Sequence, residues 1–75
     1  MQISKIIKIT QIADVYDFVN EAGKVDGDVL LKRGNYVVDG KSVMGVFSLN
    51  LSQPVTISYP IDATEFDNYV KTFEV

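Results

Sequence analysis

Near the middle of the 75-residue chain the sequence reads Lys41-Ser42-Val43-Met44-Gly45-Val46-Phe47-Ser48-Leu49. A serine directly before an apolar segment is a favourable N-cap, because its hydroxyl accepts a hydrogen bond from a backbone N–H of the first helical turn. Met44 and Phe47 are three residues apart and therefore share one side of such a helix. The run predicts a short helix over residues 42–50 that begins at Ser42 and has an apolar side.

The segments on both sides of this run have the alternating hydropathy of strands. Val29 and Leu31 alternate with Asp28, Leu30 and Lys32, residues 33–35 have the composition of a turn, and the chain resumes with residues 36–38. This pattern predicts a β-hairpin. Residues 55–59 and the isoleucine-rich residues 3–9 predict two more strands, so that four strands are expected in all.

Helical periodicity marks two further segments. Thr10 is expected to cap a helix that ends at Gly23. Asp62 and Glu65 have the spacing of a capping box at the start of a last helix. The expected core-facing stripes are Ile12, Val15, Tyr16, Val19 and Ala22 in the first helix and Phe66, Tyr69, Val70 and Phe73 in the last.

The predicted order of elements is β-α-β-β-α-β-α in a single domain, residues 1–75. Short amphipathic helices need an apolar surface to pack on, and an antiparallel sheet covered on one face supplies it. We therefore predict an α+β open-faced sandwich, with a four-stranded antiparallel sheet covered on one face by three helices. The lysines of the first two strands suit the opposite, solvated face.

The composition excludes several function classes. Ten acidic and seven scattered basic residues give a net charge of -3, so a basic stripe for nucleic acid is not expected. The chain has no cysteine and no histidine, which removes thiolate metal ligands and the usual bases and nucleophiles of enzymes. We therefore expect no enzyme activity, no metal site and no cofactor. With no long apolar stretch after the N-terminus, we expect neither a signal peptide nor membrane insertion, and a cytoplasmic location.

The order of elements and the run at residues 41–49 together resemble HPr, the small phosphocarrier protein of the bacterial sugar phosphotransferase system. Residues 24–29 are similar to the family's passage from helix one to strand two, and residues 55–58 to its fourth strand. The resemblance implies a phosphate-carrying histidine, flanked by an arginine and a proline, at the start of the first helix. Gln11 stands nearest the histidine position, Ala13 near the arginine and Asp14 near the proline.

None of these three residues is suited to the original chemistry. A glutamine amide lacks the nucleophilic ring nitrogen of a neutral imidazole. Asp14 and Asp17 place negative charge early in the helix, where it would repel a phosphate. The chain therefore looks like a divergent HPr that lacks the active-site histidine. It is nearest in type to the catabolite-repression branch, in which glutamine replaces the histidine, although that branch keeps the arginine.

The resemblance also implies a second site. In the HPr of many Gram-positive bacteria, the serine that opens the second helix is phosphorylated by a dedicated kinase, which makes Ser42 a regulatory phosphorylation candidate. The alternative is that Ser42 is only a helix cap. Val43, Met44 and Phe47 correspond to the apolar patch through which the family docks its partners. The alternative for Phe47 is that its side chain turns into the core.

Two functions follow from this resemblance. The leading hypothesis is a regulatory or protein-interaction module, not competent for phosphohistidine transfer. Its partner would be a phosphotransferase-system component, a kinase or a transcriptional regulator. The alternative is a phosphotransfer component that uses an unusual carboxylate acceptor, Asp14, through an acyl phosphate. The sequence does not define an oligomeric state.

Overall fold

The computed structural model describes all residues, 1–75. The strands are β1 (Gln2–Ile7), β2 (Leu30–Arg33), β3 (Tyr36–Asp39) and β4 (Val55–Pro60). The helices are α1 (Ile12–Gly23), α2 (Val43–Phe47) and α3 (Thr64–Val70), and a 3₁₀ turn (Lys71–Phe73) follows α3. The predicted order of elements is confirmed.

The four strands form one antiparallel sheet in the order β1-β4-β2-β3. Ile7 pairs with Val55, and Leu31 lies between Ile57 and Val38, so these side chains share one face. The three helices cover that face. The open-faced α+β sandwich expected from the sequence is therefore the observed fold.

The core lies between the sheet and the helices. Apolar side chains of β2 and β4 meet Phe18 of α1 and Phe66 of α3, and the rings of the two phenylalanines have centroids 5.8 Å apart. No polar side chain is fully buried in this core. The innermost side chains are Ile7, Val15, Phe18, Val29, Leu31, Val46, Ile57, Tyr59 and Val70.

Three predictions about side-chain orientation are wrong. Tyr16 and Ile12 do not face the core, because Phe18 and Val15 fill that side of α1 and leave Tyr16 58% and Ile12 72% exposed. Lys5 does not lie on the solvated face. It shares the covered face with Ile7, and its ammonium group reaches the carboxylate of Asp67 on α3 at 3.4 Å.

The predicted caps have mixed outcomes. Ser42 is the N-cap of α2, and its hydroxyl accepts a hydrogen bond from the backbone N–H of Gly45 at 3.1 Å, as expected. Gln11, instead of Thr10, precedes α1, and Ala63, instead of Asp62, precedes α3; neither forms a side-chain cap. Both helices begin where the chain leaves the sheet, and packing, more than capping, stabilises them.

Candidate functional site

The degenerate phosphocarrier residues lie together at the start of α1. Gln11 has extended backbone angles and its carbonyl accepts a hydrogen bond from the N–H of Asp14 at 3.1 Å. Gln11 and Ala13 are exposed, and Asp14 is half-buried. The side chains available here are an amide, a methyl and a carboxylate. None of the three is a neutral nitrogen nucleophile.

A surface cavity of about 420 Å³ lies beside this helix start. Gln11 and Ile12 form one wall, and Leu51 and Ser52, which follow α2, form another. Lys8 is the only charged residue in the lining. The cavity therefore joins the start of α1 to the segment after α2, although these segments are far apart in the sequence.

An apolar patch covers the neighbouring surface of α1 and α2. It consists of Ile12 (72% exposed), Tyr16, Met44 (84% exposed) and Phe47 (39% exposed). The rings of Tyr16 and Phe47 meet edge to face, with centroids 5.7 Å apart, and thereby join the two helices. We call these four residues the α1–α2 patch. Val43, at the start of α2, is half-buried beside it.

Only the α2 half of this patch, Met44 and Phe47, is predicted by the sequence. The same sequence pattern predicts Ile12 and Tyr16 in the core stripe of the first helix, which is wrong for both. Together with Phe18, however, that stripe spans an arc wider than one buried face, and this width was a signal that some of its members face outward. Gln11, Ala13 and Asp14 lie at the start of the same helix. The degenerate phosphocarrier residues and the predicted partner-binding residues of α2 therefore lie near each other at one end of the molecule.

Ser42 stands where β3 ends and α2 begins. Its backbone N–H donates to the carbonyl of Asp39 at 3.1 Å, and the N–H of Lys41 donates to the Asp39 carboxylate at 2.9 Å. Gly45 packs closely against the same turn, since an added Cβ would lie 3.3 Å from the carbonyl oxygen of Asp39. These contacts fix the position of Ser42 next to the α1–α2 patch.

A row of carboxylates occupies the opposite flank of α1, facing α3. Asp14, Asp17 and Glu21 recur at helical spacing, and the hydroxyl of Tyr69 on α3 donates to Asp17 at 3.3 Å. Burial raises the pKa of Tyr69, and the charge of Asp17, its hydrogen bond, and the charges of Asp14 and Glu21 raise it further. All three carboxylates therefore raise the pKa of the same group, the Tyr69 hydroxyl between α1 and α3. We call Asp14, Asp17 and Glu21 the carboxylate row.

A second surface cavity, of about 350 Å³, extends this acidic flank between the end of α1 and the start of α3. Its charged lining is Glu21, Lys24, Asp26, Asp62 and Glu65. Lys24 is paired with Glu21 at 2.9 Å, and that hydrogen bond is the main reason why the pKa of Lys24 is raised. The structure contains no group of three or more acidic side chains with the geometry to hold a metal ion.

The architecture and the position of these residues define a class: an open-faced sandwich whose first two helices carry the candidate site. No protein-family model matches the sequence, and no curated protein matches it. Among solved structures, the chain is similar to the phosphocarrier protein HPr from Bacillus anthracis str. Ames, with a TM-score of 0.74 and 23% identity over 99% of this chain and 98% of that one. It is also similar to HPr-C-His from Thermoanaerobacter tengcongensis, with a TM-score of 0.72 and 23% identity over 96% of this chain and 92% of that one. The protein therefore has the HPr fold.

A membrane-spanning helix needs a long, predominantly apolar segment, and no helix of this fold provides one.

Proposed function

We propose that this protein is a regulatory or protein-interaction module built on the HPr fold, and that it does not carry phosphate on a histidine. The observation that carries the proposal is an exposed apolar patch beside a helix start that has no imidazole. The 75 residues contain no histidine, and Gln11 lies where α1 begins. What remains at this end of the molecule is a recognition surface.

The α1–α2 patch has the properties of a docking surface. Tyr16 and Phe47 are aromatic anchors that hold each other in place, and Met44 projects beyond them as a flexible side chain that adapts to irregular contacts. Large apolar side chains gathered at one place on a small domain are unfavourable in water unless a partner covers them. The proposed partner is a phosphotransferase-system component, a kinase or a transcriptional regulator, and the proposed location is the cytoplasm.

Ser42 is proposed as the regulatory residue of this surface. It is half-buried, and it immediately precedes Val43 and Met44. Transfer of a phosphoryl group from ATP to its hydroxyl oxygen would release ADP and a proton, and would place about two negative charges beside the patch. It would also change the oxygen that now accepts the N–H of Gly45. Phosphorylation would therefore alter both the charge and the local order of the docking surface.

The carboxylate alternative receives less support from the surroundings of Asp14. Asp14 forms no ion pair, and it belongs to the carboxylate row with Asp17 and Glu21. An acyl phosphate there would add charge to an already negative flank. We therefore do not propose Asp14 as a phosphoryl acceptor, and we propose no enzyme activity.

The test of this function uses HPr kinase as both modifying enzyme and binding partner. Wild-type protein and the Ser42→Ala variant are incubated with ATP and the kinase and analysed by mass spectrometry. We expect one phosphate on Ser42 and none on the variant. Unmodified wild-type protein would contradict the regulatory role of Ser42. Loss of kinase binding in Met44→Ser, but not in Val37→Ser on the open sheet face, is expected if the patch docks partners.

A further inference from the structure

The charges around the α1–α2 patch are unevenly distributed. The carboxylate row runs along the flank of α1 opposite the patch. The acidic cavity between the end of α1 and the start of α3 continues the row. Tyr16 contacts Phe47 of α2, whereas Asp17, the next residue, contacts Tyr69 of α3. The apolar and acidic surfaces are therefore the two flanks of one helix, only about a helix diameter apart. An interface of standard size, about 800 Å² on each partner, is large enough to cover both surfaces.

The positive charges on this side neutralise only one member of the row, Glu21, which is paired with Lys24; the charge of Lys24 also acts on Asp17, without an ion pair. The ammonium group of Lys41 donates to the carbonyl oxygen of Val25 at 2.8 Å. Lys8 lies beyond the start of α1, in the lining of the cavity there. Asp14 and Asp17 form no ion pair. A partner that covers the patch therefore meets two carboxylates, Asp14 and Asp17, that have no basic side chain within ion-pair distance.

We propose that the partner surface which docks on the α1–α2 patch carries lysine or arginine side chains beside its apolar anchor, placed to lie over Asp14 and Asp17. This inference rests on the proposed function, because it specifies the chemistry of the partner that the patch binds. A basic partner approaches this flank faster and docks in one orientation, whereas an acidic one is repelled. An apolar contact alone does not fix the orientation of the partner, and charge complementarity with Asp14 and Asp17 supplies that orientation.

The probe for this proposal is a synthetic amphipathic helical peptide of leucine and lysine, compared with a matched peptide that has glutamate in place of every lysine. Binding is followed by fluorescence anisotropy at low and at physiological salt, and the contact surface by amide chemical shifts. We expect the lysine peptide to bind at least tenfold more tightly than the glutamate peptide, and salt to weaken its binding. The shifted amides should be those of Ile12, Tyr16 and Met44.

Two pairs of variants separate the charge from the patch. Asp14→Asn/Asp17→Asn should weaken binding of the lysine peptide about three- to tenfold, since each exposed charge pair has a modest effect. The matched control Asp28→Asn/Glu74→Gln removes the same charge from exposed residues outside the carboxylate row and the acidic cavity, and it should change binding less than about twofold. Met44→Ser should weaken binding of the peptide, and Val37→Ser, on the open face of the sheet, should not.

Each contrary outcome has a distinct meaning. If both peptides bind equally, or if the two double variants behave alike, the basic partner is refuted; a loss of binding in Met44→Ser would then still support the proposed function. If neither peptide binds, or if the shifts map to the sheet, both proposals fail. A concentration-dependent dimer that Met44→Ser abolishes would assign the patch to a second copy of the chain and overturn the inference.

Discussion

Replacement of Asp67 by asparagine should lower the stability of the protein at neutral pH and have little effect in acid. Asp67 lies on α3, and its carboxylate accepts a hydrogen bond from the hydroxyl of Tyr59, whose ring is buried on β4. It is also paired with Lys5 of β1 at 3.4 Å and with Lys71 at 3.3 Å. This one side chain therefore joins α3 to the two neighbouring strands β1 and β4.

The magnitude follows from these contacts. A hydrogen bond to a charged group contributes about 1.5–3 kcal/mol and a neutral one about 0.5–1.5 kcal/mol, so the bond from Tyr59 weakens by about 1 kcal/mol when asparagine replaces the carboxylate. Each lysine pair contributes about 0.2–1 kcal/mol, because solvent screens charges that are partly exposed. The Asp67→Asn variant should therefore lose about 2 kcal/mol of unfolding free energy at neutral pH.

The pH dependence has a definite sign. The hydrogen bond from Tyr59, followed by those from Lys71 and Lys5, lowers the pKa of Asp67 in the folded protein, although desolvation opposes this shift. The unfolded chain has a pKa of about 3.9 at this residue. The stabilising contribution is therefore complete above about pH 4, and it is lost as the pH falls through the lower pKa of the folded state.

Urea unfolding followed by circular dichroism, from about pH 7 down to about pH 2, measures this contribution directly. The difference between wild type and Asp67→Asn should shrink from about 2 kcal/mol toward zero as the carboxylate is protonated. Asp28→Asn, an exposed carboxylate in the loop before β2, is the matched control and should show a small difference at every pH. A difference between wild type and Asp67→Asn that is independent of pH would refute the reasoning.

Three further predictions concern local contacts, and urea unfolding tests each of them. Ser42→Ala should lower the unfolding free energy by about 1 kcal/mol, because it removes the cap of α2. Ser42→Asp should retain most of the stability, since aspartate also caps helices. Equal losses in the two variants would contradict the capping role of Ser42. Gly40→Ala should be destabilising by at least about 1 kcal/mol, because the new Cβ would lie 2.7 Å from the buried side chain of Val29. Gly23→Ala, whose Cβ would have no atom within 4 Å, should be neutral or stabilising by about 0.4–1 kcal/mol. The reverse order of the two stabilities would show that the packing around these glycines is misassigned. Phe18→Ala should lower the unfolding free energy by about 3–5 kcal/mol and Met44→Ser by less than about 0.5 kcal/mol, because only Phe18 is buried. Comparable losses in the two variants would mean that Met44 supports the core.

The sequence predicted those features of the fold that depend on local pattern. The alternation of Val55, Ile57 and Tyr59 predicted the central strand β4, since a strand buried on one face repeats every two residues. Ser42 was predicted as a cap because its hydroxyl acts within one helical turn. The fold that the resemblance to HPr implies is also the fold of the two similar solved structures, which cover 99% and 96% of this chain.

Features that depend on distant residues could not be predicted in the same way. The hydropathy of α1 did not reveal that Tyr16 is exposed, because its neighbour Phe47 lies about thirty residues further along the chain and α2 covers the ring only in part. Lys5 was placed on the wrong face because its partners Asp67 and Glu74 come from the C-terminal part of the chain. The position of the carboxylate row between α3 and the α1–α2 patch could not be predicted, because it depends on Tyr69 of α3, which is 52 residues from Asp17 in the sequence.

The most direct test of the central claim is a phosphotransfer assay. The protein is incubated with phosphoenolpyruvate and the first enzyme of the phosphotransferase system, beside an HPr that contains the active histidine, and the mass of each intact protein is measured. Because the start of α1 carries Gln11 and no imidazole, the histidine-containing HPr should gain one phosphoryl group and this protein none. A phosphoryl group found at the start of α1, and passed on from there to an acceptor, would contradict the account.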